Sequence, residues 1–164
     1  MAEARFGLGF DSHPADPGRP LTLGGVPFEG EPGLSGHSDG DVVCHAVADA
    51  LLGAAALGDI GEHFPETDSS VAGISGFELL RRSAQLVRDA GLEPESCDAV
   101  LIAERPLVSP RRGEMRRRLA AAMGVGADSV SVKGTRPEGM GLTGDGAACM
   151  AIVLARRSDT VTSG

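Results

Sequence analysis

The chain has 164 residues, 41% of them apolar and 3% aromatic, with neither Trp nor Tyr, and a formal net charge of −8. This length predicts a single domain with enough apolar side chains for a packed core. An acidic chain with few aromatic rings repels a phosphate backbone and offers bases little to stack on, so we expect no nucleic-acid partner.

The same composition predicts a cytoplasmic protein with no membrane partner. No apolar run reaches the ~18 residues of a membrane-spanning helix, and the first residues lack the basic-then-apolar pattern of a signal peptide. The three cysteines, Cys44, Cys97 and Cys149, are far apart and form no Cys-x-x-Cys motif. We expect them to be reduced, mostly buried thiols.

The first part of the chain predicts strands and then one long helix. The expected elements are a strand at 4–12, a hairpin at 21–28, a glycine-rich loop at 30–36 and a helix from about 38 to 57. Ser38 and Asp41 resemble a capping box at the start of this helix. The glycines at 58 and 61 are expected to end it.

The second part predicts two more helices and three strands. The expected elements are an irregular stretch at 62–73, a helix at 76–90, a strand at 97–104, a helix from 109 to 124, and strands at 130–133 and 147–155. Ser75 and Glu78 form a capping box, Gly91 suits the position after a helix, and Pro110 suits the first helical turn.

This order of elements predicts an α/β (α+β) fold in one domain, residues 1–157. We expect a mixed, ferredoxin-like β-sheet with the helices packed on one face, where their alanine and leucine stripes are buried. Residues 158–164 are polar and are expected to form a disordered tail.

Asp11 and His13 lie two residues apart in the first predicted strand, so their side chains project from the same face. His45 lies in a predicted helix and could supply a third ligand. One carboxylate and two imidazoles with a fourth position open suit a catalytic zinc ion. The alternative is an ordinary surface strand and an ordinary helical histidine.

Three other stretches offer groups that recognise a phosphorylated sugar. His37 and Ser38 lie at a helix start, which favours an anion, although Ser38 could simply cap the helix. The run from Lys133 to Glu138 offers two cations, a hydroxyl and a carboxylate, which suit a phosphate and a hard divalent cation. It could also be a charged, solvated turn. Asp59 could bind a sugar diol or merely close a helix.

Several motifs together resemble the 2-C-methyl-D-erythritol 2,4-cyclodiphosphate synthase family. The matching segments are Phe10-Asp-Ser-His13, Leu23-Gly-Gly25, Gly33-Leu-Ser-Gly-His-Ser-Asp-Gly-Asp-Val42, His45-Ala46, Asp49 to Ala54, Leu57 to Gly61, His63-Phe-Pro65 and Lys133 to Gly144. The resemblance covers residues 5–155, and its His-Ser-Asp-Gly-Asp motif with a downstream His is highly specific.

The resemblance implies a reaction and two metals. The family converts 4-diphosphocytidyl-2-C-methyl-D-erythritol 2-phosphate to the cyclic diphosphate and CMP in the non-mevalonate isoprenoid pathway. It implies a homotrimer with active sites between subunits, zinc on Asp11, His13 and His45, and Mg²⁺ or Mn²⁺ near Glu138. The substrate's own 2-phosphate is the nucleophile, so the protein needs to position and neutralise anions.

The resemblance also implies roles for the remaining site residues. His37, Ser38, Thr135 and Glu138 would serve catalysis, with His37 and Ser38 on phosphate and methylerythritol oxygens. Asp59, Ile60 and Gly61 would hold the ribose, and Glu66 the erythritol part. The cytosine and its phosphates would lie on a neighbouring subunit, on Thr135 and on the backbone from Ala103 to Ser109, which includes Pro106, Leu107 and Val108. Lys133, Gly134 and Arg136 would also bind substrate.

The chain departs from the family pattern in its loops. Leu107 stands after Pro106 where the family has a lysine, for which Arg105 or Arg136 could compensate. The family's threonine-rich turn becomes Thr135-Arg-Pro137, and its Gly-Arg-x-Glu-Gly motif is shortened to Gly144-Asp-Gly146.

Two other functions remain open at this point. The first is a generic zinc hydrolase of phosphate esters, with Glu62 or Glu66 as the base. The second is a trimeric binding or regulatory relative that keeps the fold without turnover, which the altered loops would allow.

Overall fold

The computed structural model describes residues 3–36, 38–141 and 143–158. Its strands are β1 (Ala4–His13), β2 (Ala15–Asp16), β3 (Leu21–Leu23), β4 (Val26–Phe28), β5 (Gly33–Leu34), β6 (Leu92–Ala103), β7 (Val130–Thr135) and β8 (Ala147–Arg157). Its helices are α1 (Val42–Ala54), α2 (Ile60–His63), α3 (Gly76–Asp89) and α4 (Arg112–Met123), with short 3-10 turns at Ser69–Val71 and Ala127–Ser129.

Four strands form the main sheet in the order β1-β8-β6-β7. Strand β8 pairs antiparallel with β1 and with β6, whereas β6 and β7 run parallel. The helices pack on one face, so the predicted mixed sheet with one covered face is confirmed. The ferredoxin-like expectation is wrong, because the main elements run β-α-α-β-α-β-β instead of β-α-β-β-α-β.

Helix α1 lies at the centre of the core, between the sheet and α3, and is buried on nearly all sides. Its neighbours on β1 are Gly7 and Gly9. A Cβ atom at either glycine would overlap a backbone carbonyl oxygen of α1, that of Ala50 or of Ala46 respectively. The two glycines therefore let the helix backbone rest directly on the strand.

Asp41 starts α1, so the predicted capping box of Ser38 with Asp41 is wrong. Its carboxylate accepts hydrogen bonds from the backbone N–H groups of Val43 (3.1 Å) and Cys44 (3.0 Å). It also accepts from Gly24 (2.8 Å) and Gly25 (2.7 Å), which adopt positive φ in the β3–β4 turn. One fully buried side chain thus caps the helix and holds the hairpin.

Other element boundaries also differ from the sequence expectations. Helix α1 ends at Ala54, before the glycines at 58 and 61 that were expected to end it, and Gly61 belongs instead to α2. The third predicted helix begins at Arg112, so Pro110 precedes it. Strand β6 begins at Leu92, because it pairs with β8 as far as Arg157.

Helix α3 begins as predicted, with Ser75 Oγ accepting the Glu78 N–H at 3.2 Å. Of the expected tail, Ser158 donates its N–H to the Gly91 carbonyl at 2.9 Å. Residues 159–164 lie outside the described part of the chain, as does the expectation of disorder there.

The sheet face opposite the helices is apolar and open to solvent. It carries Phe6 (73% exposed), Leu8 (63%), Phe10 (53%), Met150 (44%) and Ile152 (51%). Phe10 pairs with Met150 across the β1–β8 register, and Leu8 pairs with Ile152. An apolar patch of this kind marks an interaction surface.

Among the described residues, no helix combines the length and the apolar character needed to cross a membrane.

Candidate metal centre and substrate cleft

Asp11, His13 and His45 meet at the end of β1, as the sequence predicted. Asp11 Oδ2 lies 3.0 Å from His13 Nε2 and 3.1 Å from His45 Nδ1. One ligand atom from each side chain lies within 4.8 Å of the other two. The strand supplies two of them through its alternation, and α1, lying directly on Gly7 and Gly9, supplies the third.

Ser38 fixes the remaining nitrogen of His45. Its hydroxyl lies 2.9 Å from His45 Nε2, while Nδ1 faces Asp11. With a metal ion bound at Nδ1, Nε2 would carry the ring proton and would donate to Ser38 Oγ. A hydrogen bond to the second ring nitrogen is what orients a metal-binding histidine in most sites.

The charges in the cluster favour an ionised Asp11. Burial raises the pKa of this carboxyl, but the nearby imidazoles of His13 and His45 outweigh burial and leave the pKa well below its usual range. For His45, burial lowers the pKa, and the Asp11 carboxylate outweighs this, so that the pKa is raised. A carboxylate is therefore present to bind a cation at neutral pH.

The residues fit a divalent metal. His13 Nε2 is buried and makes no well-directed hydrogen bond, although it lies 3.0 Å from Asp11 Oδ2. Tetrahedral zinc with bonds of about 2.0–2.1 Å separates its ligand atoms by roughly 3.3 Å. The two Asp–His distances are close to this value, so a small outward movement would admit the ion.

The cluster opens into a cleft of about 570 Å³. Of the predicted substrate residues, Ser38, Ile60, Gly61 and Glu66 line this cleft. Its other walls come mainly from residues 64–74 and combine apolar side chains such as Phe64 and Val71 with the polar side chains of Thr67 and Asp68. Asp59 is exposed and caps the start of α2 by accepting the Glu62 N–H at 3.1 Å. It therefore does not close α1, which was one of its two interpretations, and it is not among the residues that line the cleft.

A second, smaller depression of about 110 Å³ lies at the end of β6 and β7. Leu101 and Arg112 line it together with most of the substrate residues predicted from these two segments: Ala103, Pro106, Leu107, Val108, Ser109, Gly134, Thr135 and Arg136. No residue lines both this depression and the cleft at the metal cluster. Within one subunit the two groups of predicted residues are thus separate.

Three predicted residues lie elsewhere. Lys133 forms an ion pair with Asp98 at 2.6 Å on β6 and lines neither space. Glu138 is exposed, has a φ of 53° and is not part of the metal cluster. His37 lies outside the described residues.

Arg105 pairs with Glu31, its Nε lying 3.1 Å from Oε2. Of the two arginines considered as replacements for the missing lysine, only Arg136 lines the smaller depression. Arg112, which sequence reasoning missed, also lines this depression. Its position at the start of α4, near the proline-rich loop, was the signal available in the sequence.

Sequence reasoning also missed Arg19, which binds two carbonyl groups in the loop before α1. Its Nη1 donates to the Gly36 oxygen at 2.6 Å, and its Nη2 donates to the Ser38 oxygen. An arginine in a polar loop carries no periodic signal, so nothing local pointed to this contact.

This chain is similar to named enzymes over most of its length. A 2-C-methyl-D-erythritol 2,4-cyclodiphosphate synthase of Symbiobacterium thermophilum is 49% identical over 151 residues, 91% of this chain and 96% of that protein. A bifunctional enzyme IspD/IspF of Anaeromyxobacter dehalogenans is 51% identical over 159 residues, 96% of this chain and 41% of that protein. This chain therefore spans about two fifths of the bifunctional relative's length.

A solved structure has the same fold. The structure of a 2C-methyl-D-erythritol-2,4-cyclodiphosphate synthase in its CDP-bound form superposes with a TM-score of 0.86 at 36% identity, covering 92% of this chain and 99% of that one. The sequence profile of the YgbB family matches residues 4–156. The chain belongs to the YgbB family.

Proposed function

We propose that this chain converts 4-diphosphocytidyl-2-C-methyl-D-erythritol 2-phosphate to 2-C-methyl-D-erythritol 2,4-cyclodiphosphate and CMP. The observation that carries the proposal is the convergence of Asp11, His13 and His45 at one end of a cleft large enough for a sugar phosphate. The names of relatives that are about half identical over most of the chain support the same reaction.

In the proposed reaction an oxygen of the 2-phosphate attacks the β-phosphorus. The bond from that phosphorus to the α–β bridging oxygen breaks, and CMP leaves with the bridging oxygen and its electron pair. The attacking phosphate is already an anion, so no protein base is required. The protein's task is to fold a flexible polyanion into a ring-forming pose, which proximity and orientation accelerate.

The residues of the cleft divide this task between them. Ser38 holds His45 and, with His37, is proposed to contact phosphate and methylerythritol oxygens. Ile60, Gly61 and Glu66 form the wall against which the erythritol and ribose parts would lie, and Asp59, next to Ile60 in the chain, would also contact the ribose.

We propose that Asp11, His13 and His45 hold zinc and that Glu138 helps to hold Mg²⁺ or Mn²⁺. Divalent cations at these positions would neutralise the phosphates and polarise the phosphorus–oxygen bonds. The donor set supports zinc at the first site, because two imidazoles and one carboxylate leave a fourth position for substrate. The exposed position of Glu138 supports a second site that faces out of its own subunit.

We further propose that the protein is a homotrimer with active sites between subunits. Two features support this assembly. The sheet face around Phe10 and Ile152 leaves large apolar side chains uncovered in the single chain. The cytosine-side depression and the metal cleft share no lining residue, so a neighbouring copy would have to bring its depression to the cleft.

Within that assembly, the loop from Ala103 to Ser109 and residues 133–136 would contact the cytidine diphosphate part of the substrate. Arg136 and Arg112 line the depression and could neutralise phosphate there in place of the absent lysine. Thr135 offers a hydroxyl at the same place. The three buried, unpaired cysteines suit the reducing cytoplasm, where we place the reaction.

Incubation with the diphosphocytidyl substrate and Mg²⁺ tests the proposal. We expect stoichiometric CMP and cyclic diphosphate. CMP together with the open-chain 2,4-bisphosphate would indicate a zinc hydrolase, for which Glu66, one of the carboxylates that line the cleft, would be the base. Tight substrate binding without CMP would indicate a regulatory relative. Either of the last two results would contradict the synthase.

A further inference from the structure

We propose that Arg19 is a positioning residue for the metal centre. Its guanidinium holds the backbone of Gly36 and Ser38 against the two metal-site imidazoles. The inference rests on the proposed function, because it takes Asp11, His13 and His45 as a metal site. It adds a residue that lies outside the cluster and outside the cleft lining.

The Arg19 guanidinium forms two hydrogen bonds, one to each of two backbone carbonyl groups. Nη1 of Arg19 donates to the Gly36 oxygen at 2.6 Å, and Nη2 donates to the Ser38 oxygen. A planar guanidinium can bind both oxygens at once, whereas a lysine ammonium has no second arm in a fixed geometry. The side chain therefore fixes the distance between the two peptide groups.

The arginine is itself anchored by its backbone. Its N–H donates to the Asp16 carbonyl at 3.1 Å, and its own carbonyl accepts the Gly33 N–H at 3.0 Å. A Cβ atom at Gly33 would overlap the Arg19 carbonyl oxygen, so the two segments lie in close contact. Arg19 thus connects the segments that its backbone hydrogen bonds hold together, near β2 and β5, to the loop that precedes α1.

Each of the two residues held by Arg19 touches one imidazole. Ser38 Oγ lies 2.9 Å from His45 Nε2. A Cβ atom at Gly36 would lie only 3.1 Å from His13 Cε1, so the backbone there lies against the His13 ring. Without the two hydrogen bonds from Arg19, both contacts would loosen together. The tautomer of His45 and the orientation of the His13 ring would then no longer be fixed.

Arg116 provides a matched control, since it makes the same kind of contact far from the cluster. Its Nε donates to the Val130 oxygen and its Nη2 to the Ala127 oxygen, both at 2.7 Å. Both arginines are partly buried and bridge two backbone carbonyls. A purely structural role of Arg19 would make the two substitutions equivalent.

The experiment compares Arg19→Gln, Arg19→Lys and Arg116→Gln with the unaltered protein. It measures the affinity and the visible absorption spectrum of bound Co²⁺, together with the melting temperature. We expect Arg19→Gln to weaken Co²⁺ binding about 10- to 100-fold and to change the spectrum, as is typical when an outer partner of a metal ligand is lost. Arg19→Lys should lose less, and Arg116→Gln should lower the melting temperature while leaving Co²⁺ binding unchanged.

Co²⁺ affinity and spectrum equal to those of the unaltered protein in folded Arg19→Gln would overturn the inference. Arg19→Lys answers the same question if Arg19→Gln does not fold, and unaltered Co²⁺ binding by that variant would likewise overturn it. Equal losses of Co²⁺ affinity in Arg19→Gln and Arg116→Gln would do so as well. Failure of the unaltered protein to bind Co²⁺ would instead contradict the proposed metal centre.

Discussion

Gly9 of β1 lies directly against Ala46 of α1. A Cβ atom at position 9 would overlap the Ala46 carbonyl oxygen and would lie 2.7 Å from the Ala50 nitrogen. The next residue on the same strand face is Asp11, and the residue before Ala46 is His45, so the contact adjoins the metal cluster. The distance between strand and helix therefore controls the 3.1 Å separation of Asp11 Oδ2 and His45 Nδ1.

Gly9→Ala should push α1 away from β1. Overpacking of a tight core contact costs typically about 1–3 kcal/mol of unfolding free energy, and the displaced His45 should weaken zinc binding at least about tenfold. Urea unfolding and zinc titration measure the two effects. Gly53→Ala on the same helix is the control, because the nearest atoms to its Cβ would be 3.9 Å away. That variant should gain up to about 1 kcal/mol from helix propensity, and a loss there would contradict the packing argument.

His45→Ala should remove most bound zinc, because the remaining aspartate and histidine cannot complete a tetrahedral site. Metal analysis of the purified variant checks this result. His63→Ala is the matched control: His63 Nε2 lies 2.7 Å from the Leu57 carbonyl oxygen and is not part of the cluster. Zinc retained at one ion per chain in His45→Ala would exclude His45 as a ligand.

Leu8→Glu should disrupt the proposed trimer. Leu8 is 63% exposed in the single chain and lies in the middle of the apolar sheet face, where a buried charge without a partner would be costly. Light scattering should give about three times the 16.7 kDa chain mass for the unaltered protein and a lower mass for the variant. Arg117→Glu on the exposed side of α4 should leave the mass unchanged. An unaltered protein that is monomeric at micromolar concentration would contradict both the trimer and the shared site.

Glu138→Gln and Asp59→Ala should separate in steady-state kinetics. Glu138→Gln should lose most turnover at low Mg²⁺, because it weakens the proposed second cation. Asp59→Ala should mainly raise KM, because a ribose contact is equally strong in the ground and transition states. Since Asp59 also caps α2, the melting temperature of the Asp59→Ala variant must be measured together with its kinetics. Wild-type turnover of Glu138→Gln across a Mg²⁺ titration would leave Arg136 as the simplest source of phosphate neutralisation.

The cysteines should be unreactive in the folded protein at pH 8. Burial raises the pKa of Cys97 to about 12 and also raises the pKa values of Cys44 and Cys149. A raised thiol pKa disfavours the nucleophilic thiolate, and all three side chains are almost completely buried. A thiol reagent should therefore modify none of them within minutes, but all three in denaturant. Rapid labelling of the native protein would show that the core opens locally.

The sequence was sufficient where chemistry depends on neighbouring residues. The pairing of Asp11 with His13 follows from strand alternation, and the cap of Ser75 on the Glu78 N–H follows from spacing within one helical turn. The apolar runs were enough to predict one domain with a mixed sheet and helices on one face. The motif around position 38 was by itself specific enough to indicate the family.

Tertiary structure decided the features that join distant segments. Asp41 rather than Ser38 caps α1, because its carboxylate also binds the hairpin at Gly24 and Gly25. His45 reaches Asp11, 34 positions away, only because glycines on β1 admit the helix. Local periodicity carries no information about these contacts between distant segments. They depend on which backbones can pack closely and on which carbonyl groups still need a donor, such as those of Gly36 and Ser38 that Arg19 binds.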